Sequence, residues 1–231
     1  RDTDRSRGLG DVYKRQPEEK ANDFEIFSSL KFIEGTQGQV WSLQLINGHL
    51  YCGHNNGLLE ICPDFSIRQL YRLNTGVFRI VEATINGKKI QIIVTYNELR
   101  IVNKETGKVN VMRQITDPIY DAEIDHLGNI WLETVSKGIY KCRLNEDMDA
   151  FRYYTYYGHE KDCTLPIHLQ IFKTSGRVIF LGSGNHFYSY DENSDTLQPN
   201  QLLNQCFQNI NNIKRIVSIN SDCLLYTSDA A

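Results

Sequence analysis

Four times along this chain an apolar strand runs into a tight turn, a second apolar strand, another turn and a third strand. The first copy is VWSLQL (40–45), Asn47-Gly48, HLYCG, Asn56-Gly57 and LLEI. The second is VFRIVEATI (77–85), Asn86-Gly87, KIQIIVTY, Asn97-Glu98 and LRIV. The third is IYDAEI (119–124), Leu127-Gly128-Asn129, IWLET, Lys137-Gly138 and IYKCRL; the fourth is IHLQIF (167–172), Ser175-Gly176, RVIFLG, Asn185-His186 and FYSY. A fifth opens at IKRIVSI (213–219). Asn-Gly between alternating apolar runs is a strong hairpin signal, because both central residues of the favoured turn need positive φ. The first-turn glycines at 48, 87, 128 and 176 are 39, 41 and 48 residues apart. A period of about 40–45 residues with four strands per unit is the signature of propeller blades.

The expected fold class is therefore all-β: a β-propeller fragment of about four blades plus part of a fifth, forming an open arc. Less regular fourth strands are expected at IRQLYRL (67–73), VNVMRQI (109–115), FRYYTYY (151–157) and in the Leu197–Leu203 region. Residues 198–212 are read as irregular, with room for one helical turn. A β-sandwich of regular hairpins is the rival fold; it does not explain the repeated turn-to-turn interval. Thirteen Tyr and ten Phe against five Pro suit strands. A net charge of −3 leaves no electrostatic footprint for nucleic acid, so direct nucleic-acid contact is not expected. The chain has no run of about 18 apolar residues of the kind that crosses a bilayer as a helix.

The two ends read differently. RGLGDVYKRQ (7–16) and CLLYTSDAA (223–231) resemble translations of the adaptor used in transposase-based sequencing libraries, read in opposite orientations. The expected domain plan is residues 1–16 foreign, residues 17–222 partial propeller and residues 223–231 foreign.

Residues 128–144, GNIWLETVSKGIYKCRL, carry a more specific pattern: Asp125, Gly128, Ile130, Trp131, Thr134, Gly138, Ile139 and Tyr140 fit D-x-x-G-x-[LI]-W-[IV]-G-T-x-x-x-G-[LI]-Y, and Glu133 stands where that pattern has Gly. In this the chain resembles the two-component-regulator propeller family, in particular regulators of Bacteroidota in which the propeller precedes a triple-tyrosine domain, a membrane helix and a cytoplasmic output module. GQVWSLQLINGHLYCGHNNGLLEI (38–61) resembles the corresponding blade, and VTYNELRIV (94–102) and GRVIFLGSGNHFYSYD (176–191) are looser versions. The resemblance implies a sensory, ligand-binding segment of a membrane-anchored signal-transduction or transcription regulator, periplasmic and homodimeric in the full-length protein. Its ligand would be a small molecule or glycan, or its partner an adjacent sensor domain. No catalytic residue, cofactor or metal is expected. Kinase or helix-turn-helix output would lie outside this segment.

Ligand-face candidates come from the turns between second and third strands, which in propellers open on the face of the inter-blade connections. They are His54, Asn55, Tyr96, Asn97, Lys137 (with Ser136), Asn185 and His186; the plainer reading is that these are ordinary polar turn residues. The alternatives for function are a propeller carbohydrate-active enzyme, a lyase or glycoside hydrolase, and a passive interaction scaffold. The enzyme requires Arg79, Arg100, Asp121, Glu133 and His186 to converge. Asp121, Glu123 and Asp125 alternate and are expected to share one strand face. The run Tyr153–Tyr157 is either a sugar-stacking platform or an outer strand. Cys52, Cys62 and Cys142 in strand contexts read as core residues, and no C-x-x-C or zinc spacing occurs.

Overall fold

The structure, a computed structural model, describes residues 32–135, 138–157, 169–210, 212–220 and 223–228. The elements all lie in the compact unit Thr36–Ala231. Blade 1 consists of β1 (Val40–Ile46), β2 (His49–His54), β3 (Gly57–Ile61) and β4 (Ile67–Arg72), and blade 2 of β5 (Val77–Ile85), β6 (Lys88–Thr95), β7 (Leu99–Asn103) and β8 (Val109–Met112). Blade 3 is β9 (Ile119–Ile124), β10 (Ile130–Thr134), β11 (Ile139–Leu144) and β12 (Phe151–Tyr157). Blade 4 is β13 (Gln170–Thr174), β14 (Arg177–Gly182), β15 (His186–Asp191) and β16 (Thr196–Pro199), and a short helix α1 (Gln201–Cys206) leads to β17 (Ile213–Asn220) and β18 (Cys223–Ser228). Each blade is a four-stranded antiparallel sheet in chain order, and β17 and β18 form a two-stranded fifth. Successive inner strands β1, β5, β9, β13 and β17 are neighbours. The whole is an open arc of a β-propeller.

Three of the four first turns have both central residues at positive φ: Asn47 and Gly48 (52° and 82°), Asn86 and Gly87 (50° and 77°), Ser175 and Gly176 (49° and 75°). That is the geometry whose twist matches the strands it joins. The third turn is built differently, around Asp125. Its Oδ1 accepts from the backbone N–H groups of Leu127 (3.0 Å) and Asn129 (2.8 Å), and its Oδ2 from Asn129 Nδ2 (2.9 Å) and Trp131 Nε1 (2.8 Å). β9 ends at Ile124, so Asp125 does not continue the face shared by Asp121 and Glu123. The turn recruits its carboxylate instead.

The core lies in the seams between blades. Tyr51 and Leu58 of blade 1 meet Val77, Ile80 and Ile93 of blade 2. Ile92 and Ile101, on the opposite face of blade 2, meet Ala122, Ile130 and Leu132 of blade 3. Trp131 and Ile139, on the next face of blade 3, meet Ile171 and Phe180 of blade 4, and Phe172, Ile179 and Phe187 meet Ile213 and Ile216. Alternation along each middle strand sends neighbours into different seams, so these strands read as apolar runs such as VIFL (178–181). Burying both faces of a sheet requires that pattern.

The outer strands fall where expected, with one correction. The Leu197–Leu203 region is strand only to Pro199; Asn200 then caps α1, its Oδ1 accepting from Leu203 N–H at 3.0 Å. An Asn before an apolar pair is a helix-start signal that outweighed the strand reading. Residues 223–228 pair with β17 throughout. An open sheet edge pairs with any extended segment that reaches it, so the pairing says nothing of their origin.

Candidate functional site

Each turn between second and third strands is tied to an inter-blade connection. Asn55 N–H donates to Gln39 O (3.0 Å), Tyr96 N–H to Gly76 O (3.2 Å) and Val135 N–H to Pro118 O (2.9 Å), while Asn185 Nδ2 donates to Ile210 O (2.6 Å). The candidate residues therefore share one face of the arc, but they do different things there. His54 is buried, with Nε2 3.2 Å from Gln37 O and Nδ1 3.2 Å from Asn56 N, an imidazole that holds its turn. Asn55 and Asn97 are exposed; Asn97 borders a shallow cleft with Arg72, Asn74 and Arg100. Asn185, at φ 61°, also accepts from Ile213 N–H (3.0 Å) and so bridges blade 4 to β17. His186 is exposed at the start of β15. Lys137 and Ser136 lie outside the described residues. Tyr96 is the one that joins a larger surface.

That surface is an aromatic shelf. Trp41, Phe78 and Tyr120 are each the second residue of an inner strand, so the repeat sets one on each of three blades. Phe78 sits 5.0 Å from Trp41, 6.1 Å from Tyr96 and 6.3 Å from Tyr120, centroid to centroid. Trp41, Tyr96 and Tyr120 are 45%, 62% and 55% exposed. Aromatic faces left open in contact with one another are unusual for a free surface and typical of one that takes a ligand.

Tyr120 connects the shelf to a cavity of about 360 Å³ between inner strands, also lined by Arg79, Asp121, Glu123, Glu133, Lys173 and Arg215. Strand alternation puts Asp121 and Glu123 on one face of β9, and Arg79 reaches them from β5. Arg79 donates through NH2 to Glu123 Oε1, and its Nε approaches Asp121 Oδ1 at 3.0 Å as an ion pair without hydrogen-bond alignment. Burial opposes the Arg79 charge, but the two carboxylates outweigh it and raise its pKa. Burial raises Asp121 and Glu123 more than Arg79 lowers them.

Glu133 stands opposite Asp121 on β10, and its Oε2 accepts from Ile171 N–H of blade 4 at 2.9 Å. Burial pushes its carboxyl up to about 8, only partly relieved by that one donor. Of the five residues an enzyme would have to gather, Arg79, Asp121 and Glu133 line the cavity. Arg100 pairs instead with Glu98 at 2.9 Å on the rim cleft, and His186 does not line the cavity. Tyr153, Tyr154 and Tyr156 are exposed on the outer strand β12, where Tyr154 and Tyr156 pack against Tyr140 of β11. Cys52 and Cys142 are buried thiols, each pushed up by burial. The described residues contain no group of His, Cys, Asp or Glu able to hold a metal ion. None of their helices is long and apolar enough to cross a membrane.

Sequence reasoning missed the shelf and the basic wall of the cavity. The shelf was visible in principle: stacking the copies by their first strands aligns Val40-Trp41, Val77-Phe78 and Ile119-Tyr120 in one column. Lys173 and Arg215 belong to different blades, and nothing local relates them.

Fold and cavity together define the class as a β-propeller with an axial polar pocket. No family model and no curated protein matches the chain. Solved structures do. The chain is similar to virginiamycin B lyase from Staphylococcus aureus, with a TM-score of 0.57 and 14% identity over 86% of this chain and 66% of that one. It is equally similar to the WD40 β-propeller domain of Doa1, with a TM-score of 0.57 and 14% identity over 86% of this chain and 64% of that one. A third likeness is to the protein named as the extracellular domain of a one-component system from B. thetaiotaomicron, with a TM-score of 0.52 and 15% identity over 70% of this chain and 21% of that one. The chain thus spans less than two thirds of the propellers it matches. At such identities the likeness shows the fold, which hosts many functions.

Proposed function

We propose that this chain is the ligand-binding part of a sensory propeller, a segment of a membrane-anchored signal-transduction or transcription regulator, with its ligand seated in the axial cavity and on the aromatic shelf. The observation that carries the reading is the continuity of the two surfaces through Tyr120. A concave polar pocket with an aromatic approach suits a small molecule or glycan, whose ring faces stack while its polar groups are read inside. The named likeness to an extracellular domain of a one-component system supports a sensory role and an extracellular or periplasmic position. Homodimerisation in the longer protein, the rim residues His54, Asn55, Asn97, Lys137, Asn185 and His186 as secondary contacts, and residues 17–222 as the propeller proper all belong to the same reading.

The chain has only two tryptophans, and Trp131 is fully buried, so a red-shifted emission reports Trp41. Titrating a panel of neutral and acidic oligosaccharides into dilute protein should quench that component. The quench should vanish in W41F, and binding should weaken in R79M. A panel that leaves both the emission and the melting temperature unmoved sinks the reading.

The enzyme alternative keeps one specific support, since Glu133 is a protonated acid facing Asp121 in a cleft. It requires bond cleavage in a bound oligosaccharide that E133Q abolishes without loss of binding. Binding without turnover decides for the sensor.

A further inference from the structure

The axial cavity is uneven in charge. On the wall formed by β5 and β9, Arg79 is matched by Asp121 and Glu123. The wall formed by β13 and β17 presents Lys173 and Arg215. Each is near enough to a carboxylate to lower its pKa, Lys173 to Glu123 and Arg215 to Asp121 and Glu133, yet neither forms an ion pair among the described residues. Lys214 lines the same wall. Glu133, the acid between the two walls, makes its one hydrogen bond to the backbone of β13. Burial keeps its proton on at neutral pH, so it adds no negative charge there. The groups facing Glu133 from the packed strands are Arg79 on β5, Asp121 and Glu123 on β9, Lys173 on β13, and Lys214 and Arg215 on β17.

With Glu133 neutral, the two remaining acids face Arg79, Lys173 and Arg215, one more cation than they can offset, and a pocket with that excess gathered on one wall is built to receive negative charge. The open ring of Tyr120 borders the same space and offers a flat apolar face. We infer that the ligand is a ring compound bearing a carboxylate or sulfate, its anionic group held between Lys173 and Arg215 and its ring lying on Tyr120. The inference rests on the ligand-binding reading above and adds the chemical class. Acidic sugars and aryl acids both carry this chemistry.

Isothermal titration of the 231-residue chain with four probes separates the cases: a galacturonate oligosaccharide, the matching neutral galactose oligosaccharide, 4-hydroxybenzoate and sodium sulfate. At least one acidic ring probe should bind about tenfold or more tighter than the neutral one, with affinity falling as salt rises. K173M and R215M should each weaken that binding about tenfold, while leaving the melting temperature near wild type because neither side chain is buried. Binding of galacturonate alone assigns an acidic sugar, and binding of 4-hydroxybenzoate alone an aryl acid; both support the inference. Equal binding of the neutral oligosaccharide, or of sulfate as tightly as the rings, overturns it and leaves the ligand-binding reading standing. Unchanged affinity in K173M and R215M overturns it too. No binding by any probe overturns both.

Discussion

Two acids of blade 3, Asp125 and Glu133, lie close in sequence and have opposite fates. Asp125 accepts four hydrogen bonds, one of them from the indole of Trp131, and organises its turn through them. D125A would leave the buried indole N–H and the Asn129 side chain without acceptors; about 2–3 kcal/mol of stability should be lost, read from the urea midpoint. Glu133 accepts one hydrogen bond and is held protonated, with its pKa pushed up to about 8. A folded-state pKa raised above the unfolded value means that the folded state holds a proton the unfolded chain releases. The stability contribution therefore falls as pH rises from the ordinary glutamate range through about 8, and levels off above it. E133Q keeps the acceptor for Ile171 N–H and removes the titration. The variant should match wild type below the ordinary glutamate range and melt increasingly higher as pH rises from there to about 8; a gap that does not widen over that interval refutes this assignment. Sequence showed both residues as acids beside strands. It could not show how many donors would reach each one.

At the scale of elements, the seams carry a second device beside their apolar contacts. Gln44 of β1 accepts from Ile80 N–H (2.8 Å) and donates to Ile80 O (3.1 Å), so its amide replaces a strand partner between blades 1 and 2. Gln114 does the same for Phe151 between blades 2 and 3, donating to its carbonyl at 2.8 Å and accepting from its N–H. Asn204 of α1 does it for Phe187, accepting at 2.7 Å and donating at 3.1 Å. Peptide groups on a side of a strand where no neighbouring strand runs have no ladder partner, and leaving one buried and unpaired is costly. Q44L and Q114L should each cost about 1–3 kcal/mol and add in the double variant, because they act at separate seams. Coincidence of the variants' urea curves with wild type would show the clamps to be idle. The strands themselves were legible, since hairpin turns and apolar runs are local signals. The clamps were not, because any polar residue on a strand looks the same until its neighbour across the seam is known. The helix α1 was half-legible: residues 198–212 left room for one helical turn, but the repeat argued for a strand through Leu203.

At the scale of the whole molecule, blade 1 has a neighbouring blade on one side only among the described residues. Gln44 and Tyr51 face blade 2, so Leu43 and Leu45 face away from it, and they are 60% and 73% exposed. In a closed ring a neighbouring blade would cover that face. Isolated chain should therefore self-associate at micromolar concentration, and L43E/L45K should return it toward monomer in sedimentation velocity. Wild-type protein that stays monomeric across the same range would show that this face is already satisfied.

The sequence by itself determined the blades: a repeat of turn glycines and two-sided apolar strands admits few other folds, because turn geometry and burial act between residues close in the chain. It also supplied the polar residues of the inner strands, and with the resemblance to regulator propellers it directed attention to the turn rim. Only the tertiary structure decided that Arg79, Asp121, Glu123, Glu133, Lys173 and Arg215 share one cavity. Those six come from five strands of four sheets, and their meeting depends on the angle at which each blade follows the last. That angle is set by side-chain volume in the seams, a sum over many contacts that no local pattern encodes.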